Sequence, residues 1–179
     1  MRRATCVKVA LAMAVALAVT LGGGPAFAQG KVIKMIPGGD LKIIDPIQNA
    51  SYISRNHGYM VYDTLFAVDS KGQVKPQMID TWTLSSDKKK YTFTLREGLK
   101  WHDGAPVTSA DCVASIKRWG AKDVSGTLLM RELESLDVVN ERTFTLTLKQ
   151  PFGLVIDALG KPSSNVPFMM PERIAQTDP

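Results

Sequence analysis

Few side chains in this sequence could do covalent or acid–base chemistry. After position 28 there are two histidines, His57 and His102, and one cysteine, Cys112. His102 is followed directly by Asp103. A histidine beside a carboxylate is the kind of pair from which a hydrolase draws a general base, so an exported hydrolase using His102 and Asp103 is one expectation to be tested. The context favours a plainer use. His102 to Pro106 reads HDGAP and stands between a strand pattern and a helix start. Aspartate bonds to nearby backbone and glycine accepts positive φ, so Asp-Gly bends a chain. His57 falls in a helical pattern and reads as a partly exposed helix residue. One cysteine and two widely separated histidines make no recognisable zinc spacing. Gly38-Gly39 lacks the GxGxxG and GKS/GKT forms that bring backbone N–H groups onto phosphate. No catalytic residue and no metal ligand is assigned, and no cofactor is expected.

The elements that carry these residues follow from periodicity. Residues 31–36 (KVIKMI) are β-branched and apolar, and Pro37-Gly38-Gly39-Asp40 stops them, which predicts a short buried strand and a turn. Asp45-Pro46 signals another turn. Between 51 and 65, apolar residues at Tyr52, Tyr59, Met60, Tyr62 and Leu65 predict a helix, weakened by Gly58. Thr81 to Leu84 and Tyr91 to Leu95 alternate with period two across a turn. They predict a hairpin with Trp82, Leu84, Tyr91, Phe93 and Leu95 facing a core. Phe144, Leu146 and Leu148 alternate with threonines and predict a further strand, its partner lying at 136–139. Thr108 followed by Asp111 resembles a capping box. Val113, Ile116 and Trp119 then share one helical face, and Gly120 is expected to end the helix. Shorter helices are expected at 125–132, 151–160 and from Pro171, with the proline at the first helical position. Cys112, inside a helical pattern, is expected to be a small buried apolar residue. The class is α/β, a mixed α+β arrangement rich in antiparallel hairpins.

The first 28 residues form a separate unit. Arg2, Arg3 and Lys8 precede the apolar stretch Val9 to Leu21, glycines and Pro25 break it, and Ala26-Phe27-Ala28 has the small-x-small form of a cleavage site. This predicts a secretory signal peptide with Gln29 as the first mature residue. The apolar run is too short for a membrane span, which needs roughly 20 residues. Cys6 precedes the apolar run instead of marking a cleavage site, so no lipoprotein is expected. Loss of the leader lowers the net charge from +5 to +2 and removes Cys6, so no internal disulfide can form. A charge of +2 gives no reason to expect nucleic acid or a membrane surface as partner.

Between 45 and 120 the sequence resembles the family 5 extracellular solute-binding proteins, the dipeptide-, oligopeptide- and nickel-binding proteins of ABC importers. Asp45-Pro46 matches an early DP, Val61 to Leu65 a YexL element, and Gly72 to Gln77 a G-x-V-x-P turn. The densest agreement runs through Trp82, Ser85, Asp87, Tyr91, Phe93, Leu95, Arg96, Gly98, Trp101, the triplet His102-Asp103-Gly104, Pro106, Thr108 and Asp111. Trp101 stands where phenylalanine is common, Ile79-Asp80 where Ala-Glu is common, and Cys112 where valine is common. Most of the apolar members fall in the predicted hairpin core, so the pattern is a folding signature and does not select a ligand.

The resemblance implies a longer, two-lobed periplasmic binding protein with discontinuous lobes that close on a solute by hinge motion. On it, residues 29–50 hold the opening strand of the main first-lobe sheet, 51–162 a small N-terminal subdomain, and 163–179 the start of the return to that sheet. The chain is then expected to be the N-terminal part only, unable to complete the clamp, and a truncated product that binds nothing is an alternative. The implied partners are a small solute, with peptide favoured over nickel complexes, opines, sugars or haem, and an inner-membrane ABC permease. A periplasmic monomer is implied. The implied first-lobe lining maps onto Pro37, Gly38 and Gly39, onto Tyr52 and Arg55, and onto Ser163, Ser164 and Asn165. Each set is also ordinary turn or surface-helix composition. Their chemistry nevertheless suits a ligand: glycine backbone can approach closely, Tyr52 offers a ring and a hydroxyl, and Arg55 can pair with a carboxylate.

Overall fold

The computed structural model describes residues 32–178. The signal-peptide expectation and Lys31 lie outside the described residues. The chain divides into two units, 1–36 and 37–179. In the first, residues 32–36 form no strand, and Val32, Ile33, Met35 and Ile36 are exposed. The expected opening strand is therefore corrected. No strand pairing includes these residues, and an exposed segment can leave its backbone N–H and C=O groups to water without forming a ladder.

The second unit begins with the Asp45-Pro46 turn, where Asp45 accepts a hydrogen bond from Ile47 N (2.9 Å). Helix α1 (Tyr52–Val61) follows, capped by the Ser51 hydroxyl. Gly58 stays within this helix because nothing larger fits. A Cβ there would come within 2.7 Å of the Phe168 ring and 2.9 Å of Pro46. Strand β1 (Asp63–Thr64) and the hairpin β2 (Phe66–Val68) and β3 (Val74–Pro76) come next. The expected hairpin forms as β4 (Ile79–Leu84) and β5 (Lys90–Leu95), with Trp82 opposite Phe93 and Leu84 opposite Tyr91.

Helix α2 (Ser109–Lys122) has a full capping box between Thr108 and Asp111. Asp111 does more than cap. Oδ2 accepts from Thr108 N (2.7 Å) and from the Trp101 indole (3.1 Å), and Oδ1 accepts from Glu172 N (2.7 Å). Cys112 is fully buried, and burial, then the neighbouring Asp111 charge, pushes its thiol pKa up. Helix α3 (Val124–Glu132) starts on Asp123, and β6 (Leu133–Asn140) and β7 (Thr143–Leu148) complete a four-stranded antiparallel sheet in the order β4-β5-β7-β6. Helix α4 (Val155–Leu159), β8 (Phe168–Met169) and α5 (Glu172–Ala175) end the chain, with β8 paired to β1.

Four expectations need adjustment. Trp82 and Leu84 lie on the core side of the sheet but are each 38 % exposed, because β4 is an edge strand with no neighbour beyond it, whereas Tyr91, Phe93 and Leu95 on the interior strand are buried. Gly120 does not end α2, which runs on to Lys122. Helix α4 is five residues long and not ten, since the chain turns at Gly153-Leu154 before the helix begins. Pro171 is the N-cap of α5, one position before the first helical residue.

Candidate functional site

The first helix and a loop more than a hundred residues later meet at one surface. Tyr52 and Arg55 lie one turn apart on α1, and the Arg55 guanidinium carbon sits 4.6 Å from the Tyr52 ring centroid. That is a cation–π distance. Arg55 Nη1 donates to Ser163 Oγ (3.1 Å), while Nε and Nη2 donate to Asn56 Oδ1 (3.3 and 2.9 Å). A guanidinium has five N–H donors. These bonds use three and fix the plane of the group. Tyr52 is 68 % exposed, and Ser163 and Ser164 are exposed.

The remaining expected residues are placed differently. Gly39 packs on the first turn of α1, where a Cβ would be 3.0 Å from Ile53 Cδ1. Pro37 and Gly38 are exposed, and Gly38 has open space around it. Asn165 is buried. Its amide donates to Ile47 O (2.8 Å), and its own carbonyl accepts from the Trp119 indole (2.8 Å). It anchors the loop from beneath, while the two serines face outward. Ser164 takes a left-handed backbone, φ 63°, which is uncommon for a residue with a Cβ.

Sequence reasoning missed Asn56 and Tyr59. The Tyr59 hydroxyl donates to Pro162 O (3.0 Å) and ties α1 to the same loop. The signal was available, since positions 52, 55 and 59 fall on one helical face.

His102 and Asp103 occupy a turn. Gly104 has φ 85°, and Asp103 accepts from Ala105 N (3.0 Å) and from Arg173 Nη2 (3.3 Å). The Ala105 N–H, then Arg173, holds the exposed Asp103 carboxyl below its ordinary range. Among the described residues no hydrogen bond joins His102 to Asp103, and no group of three or more His, Cys, Asp or Glu is placed to hold a metal. A groove of about 480 Å³ lies beside this turn, lined by Tyr59, Tyr62, Asp63, Gln77, Trp101 and His102. It contains none of the eight expected site residues. The Tyr52–Arg55–Ser163 cluster is open surface. No described helix is long and apolar enough to cross a membrane.

Comparison with known proteins bears on this arrangement. Residues 73–178 match the family described as bacterial extracellular solute-binding proteins, family 5 middle. The chain is 42 % identical over 174 residues to the probable peptide ABC transporter periplasmic-binding protein y4tO of Sinorhizobium fredii (strain NBRC 101917 / NGR234), covering 96 % of this chain and 32 % of that protein. It is 31 % identical over 153 residues to the glutathione-binding protein GsiB of Salmonella typhi, covering 84 % and 30 %. Among solved structures, the PBP AgaA of A. tumefaciens R10 in complex with agropinic acid aligns with a TM-score of 0.62 at 28 % identity, over 76 % of this chain and 27 % of that one. The chain thus spans about a third of the length of the curated relatives it matches.

Proposed function

Because the chain belongs to the bacterial extracellular solute-binding proteins of family 5, we propose that it serves solute capture for an ABC importer, with a peptide or peptide-like acid as the solute. The observation that carries this reading is the Tyr52–Arg55–Ser163 cluster. A guanidinium held flat by a ring and by Asn56 presents remaining N–H donors to solvent. Peptides and glutathione carry carboxylates, which pair with such a fork in bidentate fashion. Gly39, packed on the first turn of α1, and the exposed Ser163 and Ser164 are its candidate backbone and hydroxyl partners, while the buried Asn165 holds the serine loop from beneath. The protein works without catalysis, as a periplasmic monomer, and hands the solute to an inner-membrane permease. The y4tO and GsiB relatives, named for peptide transport and glutathione binding, support this choice of solute.

Titration calorimetry of the full-length protein, second lobe included, with glutathione and with tri- to pentapeptides tests the proposal. Arg55→Ala should weaken binding by about tenfold or more, the worth of a hydrogen bond to a charged group. Ser164→Ala should weaken it less. Neither should lower the thermal midpoint, because both side chains lie at the surface. Wild-type affinity in both variants would remove these residues from the site. Export should cut the chain after Ala28 and leave Gln29 first. N-terminal sequencing of periplasmic material checks this, and a product retaining Arg2 and Arg3 would contradict it.

A further inference from the structure

We propose that the ion pair between Asp123 and Lys161 is a positioning clamp that holds the Ser163-Ser164 loop in register with Arg55; its relevance to solute rests on the site proposed above. Lys161 Nζ meets Asp123 Oδ2 at 2.5 Å, with the two side chains 19 % and 2 % exposed. Asp123 Oδ1 is already occupied as the cap of α3, accepting from Ser125 N (2.9 Å) and Gly126 N (3.0 Å). Both oxygens of one buried carboxylate therefore have fixed partners, and the ammonium has a single defined place to sit.

Such a pair is a poor device for stability. Removing two charges from water costs roughly what their attraction returns, and an apolar pair of the same volume often does as well. What a buried pair supplies is geometry. Here the geometry falls on the residue two positions before Ser163. Three further bonds reach the same short loop from other elements: Tyr59 of α1 to Pro162, the Trp119 indole of α2 to the Asn165 carbonyl, and the Asn165 amide to Ile47. Each of these acts on Pro162 or Asn165. The exposed serines between them make no anchoring contact of their own beyond Ser163 to Arg55, and Ser164 is held at φ 63°. A loop tied at both ends with its middle left free is suited to presenting hydroxyls at a fixed distance from the guanidinium.

The test is hydrogen exchange by NMR on the full chain, comparing wild type with Lys161→Met and Lys161→Arg. In Lys161→Met the Trp119 indole N–H, whose buried bond to Asn165 O is the exchange-protected tie to this loop, should exchange about tenfold faster, as expected when one tie of a local unit is released. The Trp119 indole resonance should shift, because its acceptor is in the loop. Combined with Asp123→Asn, so that no buried charge is left unpaired, Lys161→Met should leave the Trp101 indole, bonded to Asp111, and the amides of β5 and β7 as in wild type. Lys161→Arg should restore the loop. If Lys161→Met does not fold, Asp123→Asn gives the same readout, since its amide oxygen can still cap α3 while the charge that holds Lys161 is gone. Unchanged Trp119 indole exchange overturns the clamp. So does exchange that rises equally in β5 and β7 of the double variant, which would make the pair a general stabiliser. Where wild type binds glutathione, Lys161→Met should weaken it several-fold, and unaltered affinity also overturns the proposal. The exchange measurement needs no ligand, so a failure of Arg55→Ala to affect solute binding would sink the site while leaving the clamp to be judged on its own.

Discussion

Phe93→Ala should destabilise the second unit by about 3–5 kcal/mol, the range for removing a large aromatic from a packed core. Phe93 is fully buried on a central strand. Its ring lies 5.1 Å from that of Phe144 across the β5–β7 pair, 6.0 Å from Tyr91 along its own strand, and 5.9 Å edge-on from Phe66 of the neighbouring hairpin. Removing it opens a cavity walled by three aromatic rings, which are stiff and cannot collapse into the space as aliphatic chains would. The urea midpoint should fall with little change in slope. An unchanged midpoint would mean that the β5–β7 register is wrong, since a slip of one residue would turn position 93 outward.

Gly126→Ala should cost about 2–3 kcal/mol, near the top of the usual range for overpacking, and should cost clearly more than Gly120→Ala. The two glycines are where α2 and α3 touch. A Cβ on Gly126 would stand 2.8 Å from the Gly120 Cα and 3.1 Å from the Trp119 carbonyl oxygen, so it meets backbone, which can move only if the helices separate. A Cβ on Gly120 would meet the Met130 side chain, 2.5 Å away at Cγ. Methionine is flexible and half-exposed there. Alanine also gains up to about 1 kcal/mol over glycine in a helix interior, so Gly120→Ala, which requires Met130 to change rotamer but no backbone to move, should cost less than Gly126→Ala. Thermal or urea midpoints of the two variants measure the difference. Equal losses would show that Met130 is held as rigidly as the backbone.

Local pattern made much of this protein legible. Period-two alternation of Phe144, Leu146 and Leu148 reports which face of a strand is apolar, because successive side chains point to opposite sides. The Thr108–Asp111 spacing reports a helix start, because only an N-cap and the N3 position can exchange those bonds. The HDG turn was readable for the same reason: Asp103 bonds to the backbone two residues on, which requires no distant partner. The family motif from Trp82 to Asp111 is made of such local features, and it identified the family while remaining silent on the solute.

What the sequence could not say depends on residues far apart. Trp82 and Phe93 have the same alternation, yet one is on an edge and the other in the middle of the sheet. The difference comes from β7 joining β5 after an excursion of about fifty residues. Gly58, Gly120 and Gly126 look like weak points in helices. They are contact points, because Phe168, Met130 and a neighbouring helix backbone occupy the space a side chain would need. Asn165 has the composition of a ligand-facing loop residue, and the chain turns it inward to Ile47 and Trp119. The partnership of Arg55 with Ser163, 108 positions on, exists only because α1 and the returning chain pack together. Sequence by itself determined the elements, their apolar faces and the family, since these follow from neighbours within a few residues. Tertiary structure decided depth of burial and which polar groups meet, since both are set by the chain that arrives from elsewhere.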